Sequence, residues 1–114
     1  MIRPLSPSDI TFLAEQDGPA EQRLKEALAV LLGLGATVTR AYLARVAYDD
    51  KTSGVMLGLL TDDRRDCAKL ARQIGRTFAA LFDTRAYLDI VFLNDERDAE
   101  IRKACPPFYD RNRA

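Results

Sequence analysis

The sequence predicts an α+β fold, a two-layer sandwich in which two helices cover one face of a four-stranded, mostly antiparallel sheet. Three observations carry this prediction. Four short segments of the 114-residue chain are rich in β-branched and aromatic residues, other segments show the apolar period of amphipathic helices, and turn residues separate them. The resulting order is β-α-β-β-α-β, typical of the ferredoxin-like fold, followed by one further C-terminal helix. We expect residues 1–114 to form a single domain.

The first half of the chain predicts a strand, a helix and a β-hairpin. The strand covers residues 9–16, and the turn DGP follows it, with Asp17 or Gly18 capping a helix over residues 19–32. Apolar spacing predicts that the helix buries Leu24, Ala27, Leu28 and Leu31. Its polar positions are expected to face water, namely Glu21, Gln22, Lys25 and Glu26. Gly33 or Gly35 ends the helix, and strands over 36–48 and 55–61 flank a hairpin loop.

The second half of the chain predicts two helices separated by a strand. Asp62 or Asp63 caps a long helix that reaches about residue 82, and the strand covers residues 86–93. Asn94 or Asp95 caps the final helix, which Pro106 must end because proline lacks the backbone N–H and clashes with the preceding turn.

The strands over 55–61 and 86–93 are apolar at both alternating sets of positions. A sheet with one face in water would instead alternate between apolar and polar residues. We therefore expect the sheet face opposite the two helices to be covered as well, by the C-terminal helix and tail or by a second subunit. Gly58, inside its strand, indicates either a bulge or the close approach of another segment.

The absence of histidine from the sequence restricts the possible chemistry. Without histidine there is no Ser-His-Asp or Cys-His nucleophile and no imidazole metal site. Cys67 and Cys105 are too far apart for a zinc knuckle and too few for a disulfide scaffold, so we expect reduced, partly buried thiols. Carboxylate or lysine chemistry stays open in principle, but no pair of facing carboxylates is evident. We expect no enzymatic activity, no cofactor and no metal.

The charge balance argues against nucleic-acid or membrane binding, because 17 basic and 17 acidic residues cancel. The N-terminal residues lack the apolar region of a signal peptide, and no apolar run has the roughly 18 residues that a membrane span needs. We therefore expect a cytoplasmic protein.

Four cations form a basic face on the long predicted helix, at positions i, i+4, i+7 and i+11: Arg65, Lys69, Arg72 and Arg76. The apolar stripe on the opposite side consists of Cys67, Leu70, Ile74, Phe78 and Leu81. Such a basic face suits a phosphate or an acidic partner. It is also typical of the solvated side of an amphipathic helix, which is the interpretation we favour.

Two other groups of residues have a functional and a structural interpretation. Tyr42 and Tyr87 could stack on nucleobases, but the RNA-binding signature that accompanies such aromatics is absent, which favours packing or an interface. The acidic residues at the start of the last helix could bind a divalent cation, although the helix dipole favours them without any ligand: Asp95, Glu96, Asp98 and Glu100.

The segment CPPFYD (residues 105–110) matches the Pro-Pro-x-Tyr pattern of peptides that bind WW domains. Such peptides lie in disordered, proline-rich surroundings, whereas this one directly follows a predicted helix. We therefore favour a hydrophobic clip, in which Phe108 and Tyr109 fold back onto apolar surface of the same chain. Cys105 has no close basic neighbour in the sequence and is interpreted as a structural thiol.

Three segments resemble the C-terminal domain of the enhanced serine sensitivity protein B (SseB) family of bacteria. VTRAYLARV (residues 38–46) is similar to its second strand, IRKACPPFYD (101–110) to its terminal helix and Pro-Phe-Tyr signature, and EQDGPAE (15–21) to its opening. The resemblance implies no catalytic or ligand-binding residues. Family members usually carry a separate N-terminal domain, so we expect a stand-alone version or one that a partner completes. The signature positions are Ala41, Tyr42, Leu43, Pro107, Phe108 and Tyr109.

These observations predict a non-catalytic protein-interaction or regulatory module that forms a homodimer or binds a protein partner. Its predicted interaction surface consists of Tyr42, Tyr87, Phe108 and Tyr109. The alternative is a small-ligand or nucleotide sensor that binds at a dimer interface. In that case the basic face or the turn at residues 17–19 would have to contribute to the site.

Overall fold

A mixed β-sheet with helices against both faces is the framework of the protein. The computed structural model describes residues 2–4, 10–35, 37–48, 53–62, 67–82 and 88–111. Within these ranges the strands are β1 (Ile2–Pro4), β2 (Ile10–Glu15), β3 (Val38–Tyr48), β4 (Ser53–Thr61), β5 (Leu88–Leu93) and β6 (Tyr109–Asp110). The helices are α1 (Pro19–Gly35), α2 (Cys67–Leu81) and α3 (Asp95–Ala104).

The strand order of the sheet is β1-β5-β4-β3-β2. β3 is antiparallel to both β2 and β4, while β5 is parallel to both β4 and β1. β6 pairs with residues 40–41 of β3, on the stretch that precedes the pairing of β3 with β2. β2 and β6 therefore lie end to end along the same edge of β3.

The α+β class is confirmed, but the sheet is mixed rather than mostly antiparallel, and its order is not ferredoxin-like. In a split βαβ unit another strand separates the two parallel strands that a helix connects. Here β4 and β5 are direct neighbours connected through α2. The error arose because apolar periodicity shows which side of an element is buried, whereas the edge with which a strand pairs depends on distant residues.

The predicted elements occur at the predicted places, and the sequence missed the short strands β1 and β6. α1 runs through Gly33 and ends at Gly35. Asn94 caps α3 as predicted, since its side chain accepts a hydrogen bond from the backbone N–H of Arg97. The predicted cap Asp63 and most of the hairpin loop, residues 49–52, lie outside the described residues.

α1 and α2 cover one face of the sheet. Leu24, Leu28 and Leu32 of α1 repeat every four residues and form one buried stripe. Ile74 and Phe78 of α2 extend the same core. These side chains pack on inward-facing positions of the three central strands, which include Ala41, Leu43, Leu57, Leu59, Leu88 and Ile90.

α3 covers the opposite face of the sheet, so the expectation that both faces are covered is confirmed for the described residues. Ile101 and Cys105 pack against a second core that includes Tyr42, Ala44, Val46, Met56, Val91 and Leu93. Gly58 belongs to this face, and a Cβ added there would lie 3.4 Å from Cδ1 of Ile101 and 3.2 Å from Cδ1 of Leu93. Of the two interpretations of Gly58, the close approach of another segment is therefore the right one. Among the described residues, no helix has both the length and the apolar character needed to cross a membrane.

Candidate functional site

A buried carboxylate fastens α3 to the sheet. The capped start of α3 places Asp98 over β3, where Oδ1 accepts a hydrogen bond from the hydroxyl of Tyr42 at 2.6 Å. Oδ2 accepts a hydrogen bond from the guanidinium of Arg40. Burial, reinforced by the hydrogen bond to Asp98, raises the pKa of Tyr42 well above its ordinary value. Both carboxylate oxygens of Asp98 thus have hydrogen-bond donors inside the protein, which suits a structural role in holding α3 on the sheet.

Tyr42 is therefore not on an interaction surface, and that part of the prediction is wrong. Its side chain is 0 % exposed because α3 lies directly over it. No local pattern in the sequence indicates that this tyrosine on β3 contacts an aspartate 56 residues further along the chain. Tyr87, the other tyrosine assigned to the surface from a strand, lies outside the described residues.

The Pro-Pro-Phe-Tyr segment is a clip, as favoured from the sequence. The backbone N–H of Phe108 donates to the carbonyl of Ala41 at 3.0 Å, and that of Arg111 donates to Thr39 at 2.8 Å. The side chains of Phe108 and Tyr109 pack against the core beneath α1 and α2 and are half-buried. Both aromatic rings, predicted for an interaction surface, therefore contribute packing area within the chain itself.

An ion pair holds the end of the clip. The Arg111 guanidinium binds Asp62, which also accepts a hydrogen bond from the Thr39 hydroxyl at 2.9 Å. The Arg111 and Thr39 hydrogen bonds lower the pKa of Asp62. Asp62, considered as a helix cap from the sequence, instead joins the end of β4 to the C-terminal segment.

A buried lysine links α1 to the end of β2. Lys25 is 6 % exposed, and its Nζ lies 2.7 Å from Oε2 of Glu15 and 3.5 Å from Oδ1 of Asp17. Hydrogen bonds from Gln22 and from the backbone N–H of Gly18 lower the pKa of Asp17. The expectation that Lys25 faces water is wrong, because two carboxylates at the end of the preceding strand compensate its charge. The sequence signal for this pairing was the presence of two acidic residues, Glu15 and Asp17, in the segment EQDG just before the helix.

Cys105 lies beside this cluster and is buried. Its Sγ donates to the carbonyl of Leu43 at 3.5 Å. Burial, with a smaller contribution from the charge of Glu15, raises the pKa of the thiol to about 11. Cys67 and Cys105 are both free, and the burial of Cys105 is consistent with its interpretation as a structural thiol.

The acidic residues at the start of α3 do not converge on one point. Asp98 turns into the core, while Glu100 pairs with Arg97 at 2.6 Å on the surface. In the ranges that the structure describes, no group of three or more cysteine or acidic side chains is arranged to hold a metal ion.

Three of the four cations predicted for the basic face are exposed on α2. Lys69, Arg72 and Arg76 are exposed on the side of α2 opposite Ile74 and Phe78. Arg65, the fourth predicted member, lies outside the described residues. No other described residue forms an ion pair with these three side chains.

An apolar surface on α1 was missed in the sequence. Val30 and Leu34 lie one turn apart on the side of α1 that faces away from the sheet, and they are 68 % and 81 % exposed. Leu34 also borders a cavity of about 290 Å³ between α1 and α2, which Leu31, Leu70 and Lys69 help to line. We call Val30, Leu34 and this cavity the α1–α2 groove. The sequence contains a signal for this exposure. Val30 and Leu34 follow Arg23 and Glu26 at three- and four-residue spacing, which places all four on the same, outward-facing side of the helix.

Fold and contacts together define a small α+β domain that its own C-terminal segment closes. The signature segments meet in this closure, since Tyr42 contacts α3 and β6 pairs with Ala41. Residues 11–111 match the family model of the SseB protein C-terminal domain, so the chain belongs to that family. The chain matches no curated protein and no solved structure.

Proposed function

We propose that this domain is a non-catalytic protein-interaction module, acting in the bacterial cytoplasm by binding another protein chain. The observation that carries the proposal is the exposure of Val30 and Leu34 on α1. Helices cover both faces of the sheet in the described part of the chain, so the α1–α2 groove replaces the sheet face as the interaction surface. Large apolar side chains that remain exposed next to a groove are typical of binding surfaces.

A non-catalytic role is supported by the engagement of the polar clusters. Asp98 is bound by Tyr42 and Arg40, and Lys25 is bound by Glu15. Asp98 connects α3 to β3 and Lys25 connects α1 to the end of β2, whereas a general acid or base would need access to a substrate.

The test of this function is solution mass, measured by light scattering over a wide range of protein concentrations. Concentration-dependent dimers of the wild type that Leu34→Asp dissociates would support the module and identify a second copy as its partner. Association that Leu34→Asp leaves unchanged would contradict the assignment of the surface. A monomer at all concentrations would reject the homodimer and direct the search to a different protein. Circular dichroism of both chains checks that the substitution leaves the fold intact.

A small-ligand sensor is the second candidate, favoured by another cavity. A space of about 430 Å³ between α2 and β5 has mainly apolar walls, including Ala71, Ile90 and Phe92, with Arg72 at its side. An apolar cavity with one cation suits an anionic metabolite with a hydrophobic part. A ligand of this class should raise the melting temperature of the wild type and have a smaller effect on Arg72→Gln. Equal shifts for both chains would reject this site.

A further inference from the structure

The outer surface of α1 and α2 carries a net positive charge, although the whole chain is neutral. Among the described charged residues that α1 and α2 expose, four are cations and one is a carboxylate: Arg23, Lys69, Arg72 and Arg76 against Glu26. The chain as a whole has 17 basic and 17 acidic residues. The helix surface is therefore distinguished from the rest of the molecule by its charge.

One cation lies at the apolar groove and two lie further round α2. Lys69 lines the cavity that Leu34 borders, Arg76 is exposed on the outer face of α2, and Arg72 borders the separate cavity between α2 and β5. Within the described chain none of the three forms an ion pair. The apolar groove therefore adjoins the exposed outer side of α2, where Lys69 and Arg76 lie and from whose far flank Arg72 extends.

Building on the proposed function, we propose that the α1–α2 groove binds an acidic amphipathic helix of a partner protein. Apolar side chains of that helix, spaced one turn apart, contact Val30 and Leu34 and enter the cavity. Its carboxylates, on the adjoining side, pair with Lys69, Arg72 and Arg76, which follow one another at helical spacing. Opposite charges guide the encounter, and the apolar contacts supply most of the affinity.

A second copy of the chain fits this surface less well. Two-fold symmetric association presents the same patch on both subunits. Two surfaces that each carry four cations and one carboxylate would then face each other with net charge of the same sign. An acidic partner removes this repulsion, and charge complementarity therefore selects it over the homodimer.

The experiment uses two synthetic amphipathic peptides that share one row of leucines. One carries glutamates beside that row, the other carries lysines in their place, and fluorescence anisotropy measures the binding of each to the full chain. We expect the glutamate peptide to bind at least about tenfold more tightly than the lysine peptide, and to bind more weakly as salt is raised. Leu34→Asp and the double variant Arg72→Glu with Arg76→Glu should each weaken its binding about tenfold or more. Lys103→Glu, an exposed change on α3, is the matched control and should leave binding unchanged.

The possible outcomes distinguish failure of the acidic-helix proposal from failure of the proposed interaction module. Equal binding of the two peptides, no binding of the glutamate peptide, or binding that Leu34→Asp and the double variant do not weaken would each overturn the acidic-helix proposal. If the glutamate peptide does not bind while light scattering shows dimers that Leu34→Asp dissociates, the interaction module stands and its partner is a second copy. If the peptide does not bind and the chain is monomeric, the α1–α2 groove is rejected as the binding surface in both proposals.

Discussion

The hydroxyl of Tyr42 on β3 donates a hydrogen bond to Asp98 on α3 across 2.6 Å, and both side chains are buried. Arg40, two residues earlier on the same side of β3, binds the second oxygen of that carboxylate. A single carboxylate thus connects the C-terminal helix to the sheet at two points. Because Tyr42 is fully buried, its role in the fold can be tested separately from binding at the α1–α2 groove.

Tyr42→Phe keeps the aromatic ring and removes the donor to Asp98. The carboxylate oxygen then stays buried without its hydroxyl partner, so we expect the free energy of unfolding to fall by about 1–3 kcal/mol. Urea denaturation measures this change. Tyr109→Phe is the control, because the Tyr109 hydroxyl makes no hydrogen bond to the described residues, and its effect should stay within about 0.5 kcal/mol. Equal losses in the two variants would show that the hydrogen bond to Asp98 contributes nothing specific.

Cys105 should make stability depend on alkaline pH. Its folded-state pKa is raised from 9.0 to about 11, so the native state holds the thiol proton more tightly than the unfolded chain does. This contribution is fully present below about pH 9 and is lost as the pH rises through about 11. Urea denaturation at increasing pH should therefore show the stability difference between wild type and Cys105→Ala shrinking. A stability difference between wild type and Cys105→Ala that does not change with pH would contradict this assignment.

Alanine at two glycines should change stability in opposite directions. A Cβ at Gly58 would lie 3.2 Å from both Leu93 and Met56, inside a filled core, and overpacking of this kind costs about 1 kcal/mol or more. A Cβ at Gly33 would meet nothing within 4 Å, and alanine in a helix stabilises by about 0.5–1 kcal/mol relative to glycine. Thermal unfolding of Gly58→Ala and Gly33→Ala measures both effects. A stabilised Gly58→Ala would show that α3 does not approach β4 as closely as described.

The Pro-Pro-Phe-Tyr segment should be inaccessible to a WW domain in the folded chain. The backbone of Phe108 is bonded to Ala41, and the rings of Phe108 and Tyr109 are half-buried. A peptide of residues 104–114 is free of these contacts and should bind a WW domain that accepts Pro-Pro-x-Tyr ligands. Calorimetric titration of both compares them, with a Tyr109→Ala peptide as the negative control. Equal affinity of peptide and folded chain would reject the clip.

The sequence predicted the helices and longer strands well because each has a local signal. Capping by Asn94 and the four-residue apolar spacing of Leu24, Leu28 and Leu32 depend only on nearby residues. β6 escaped prediction because two residues carry no periodicity, and it becomes a strand only by pairing with Arg40 and Ala41. Strand order could not be predicted for the same reason, because residues far apart in the sequence determine which strands pair.

Prediction of the candidate site was less successful for a related reason. Lys25 was expected in water, and its burial depends on Glu15 and Asp17, which α1 approaches only when it packs on the sheet. The aromatic residues assigned to an interaction surface were selected by type, although aromatic residues fill cores as readily as interfaces. The exposure of Val30 and Leu34 was not predicted, although their helical spacing places them on the same side of α1 as Arg23 and Glu26.

Because β2 and β6 lie end to end along one edge of β3, the two parts of that edge receive their pairing strands at different times during synthesis. β2 is made before β3 and can pair with it at once, whereas β6 comes from the last described residues. Until residues 108–111 have left the ribosome, the backbone carbonyls of Thr39 and Ala41 on β3 lack their partners, which are the N–H groups of Arg111 and Phe108. An open strand edge invites pairing with neighbouring chains. Nascent chains that stop before Phe108 therefore expose a site for association between adjacent ribosomes on one messenger RNA, and the final residues of the domain remove it.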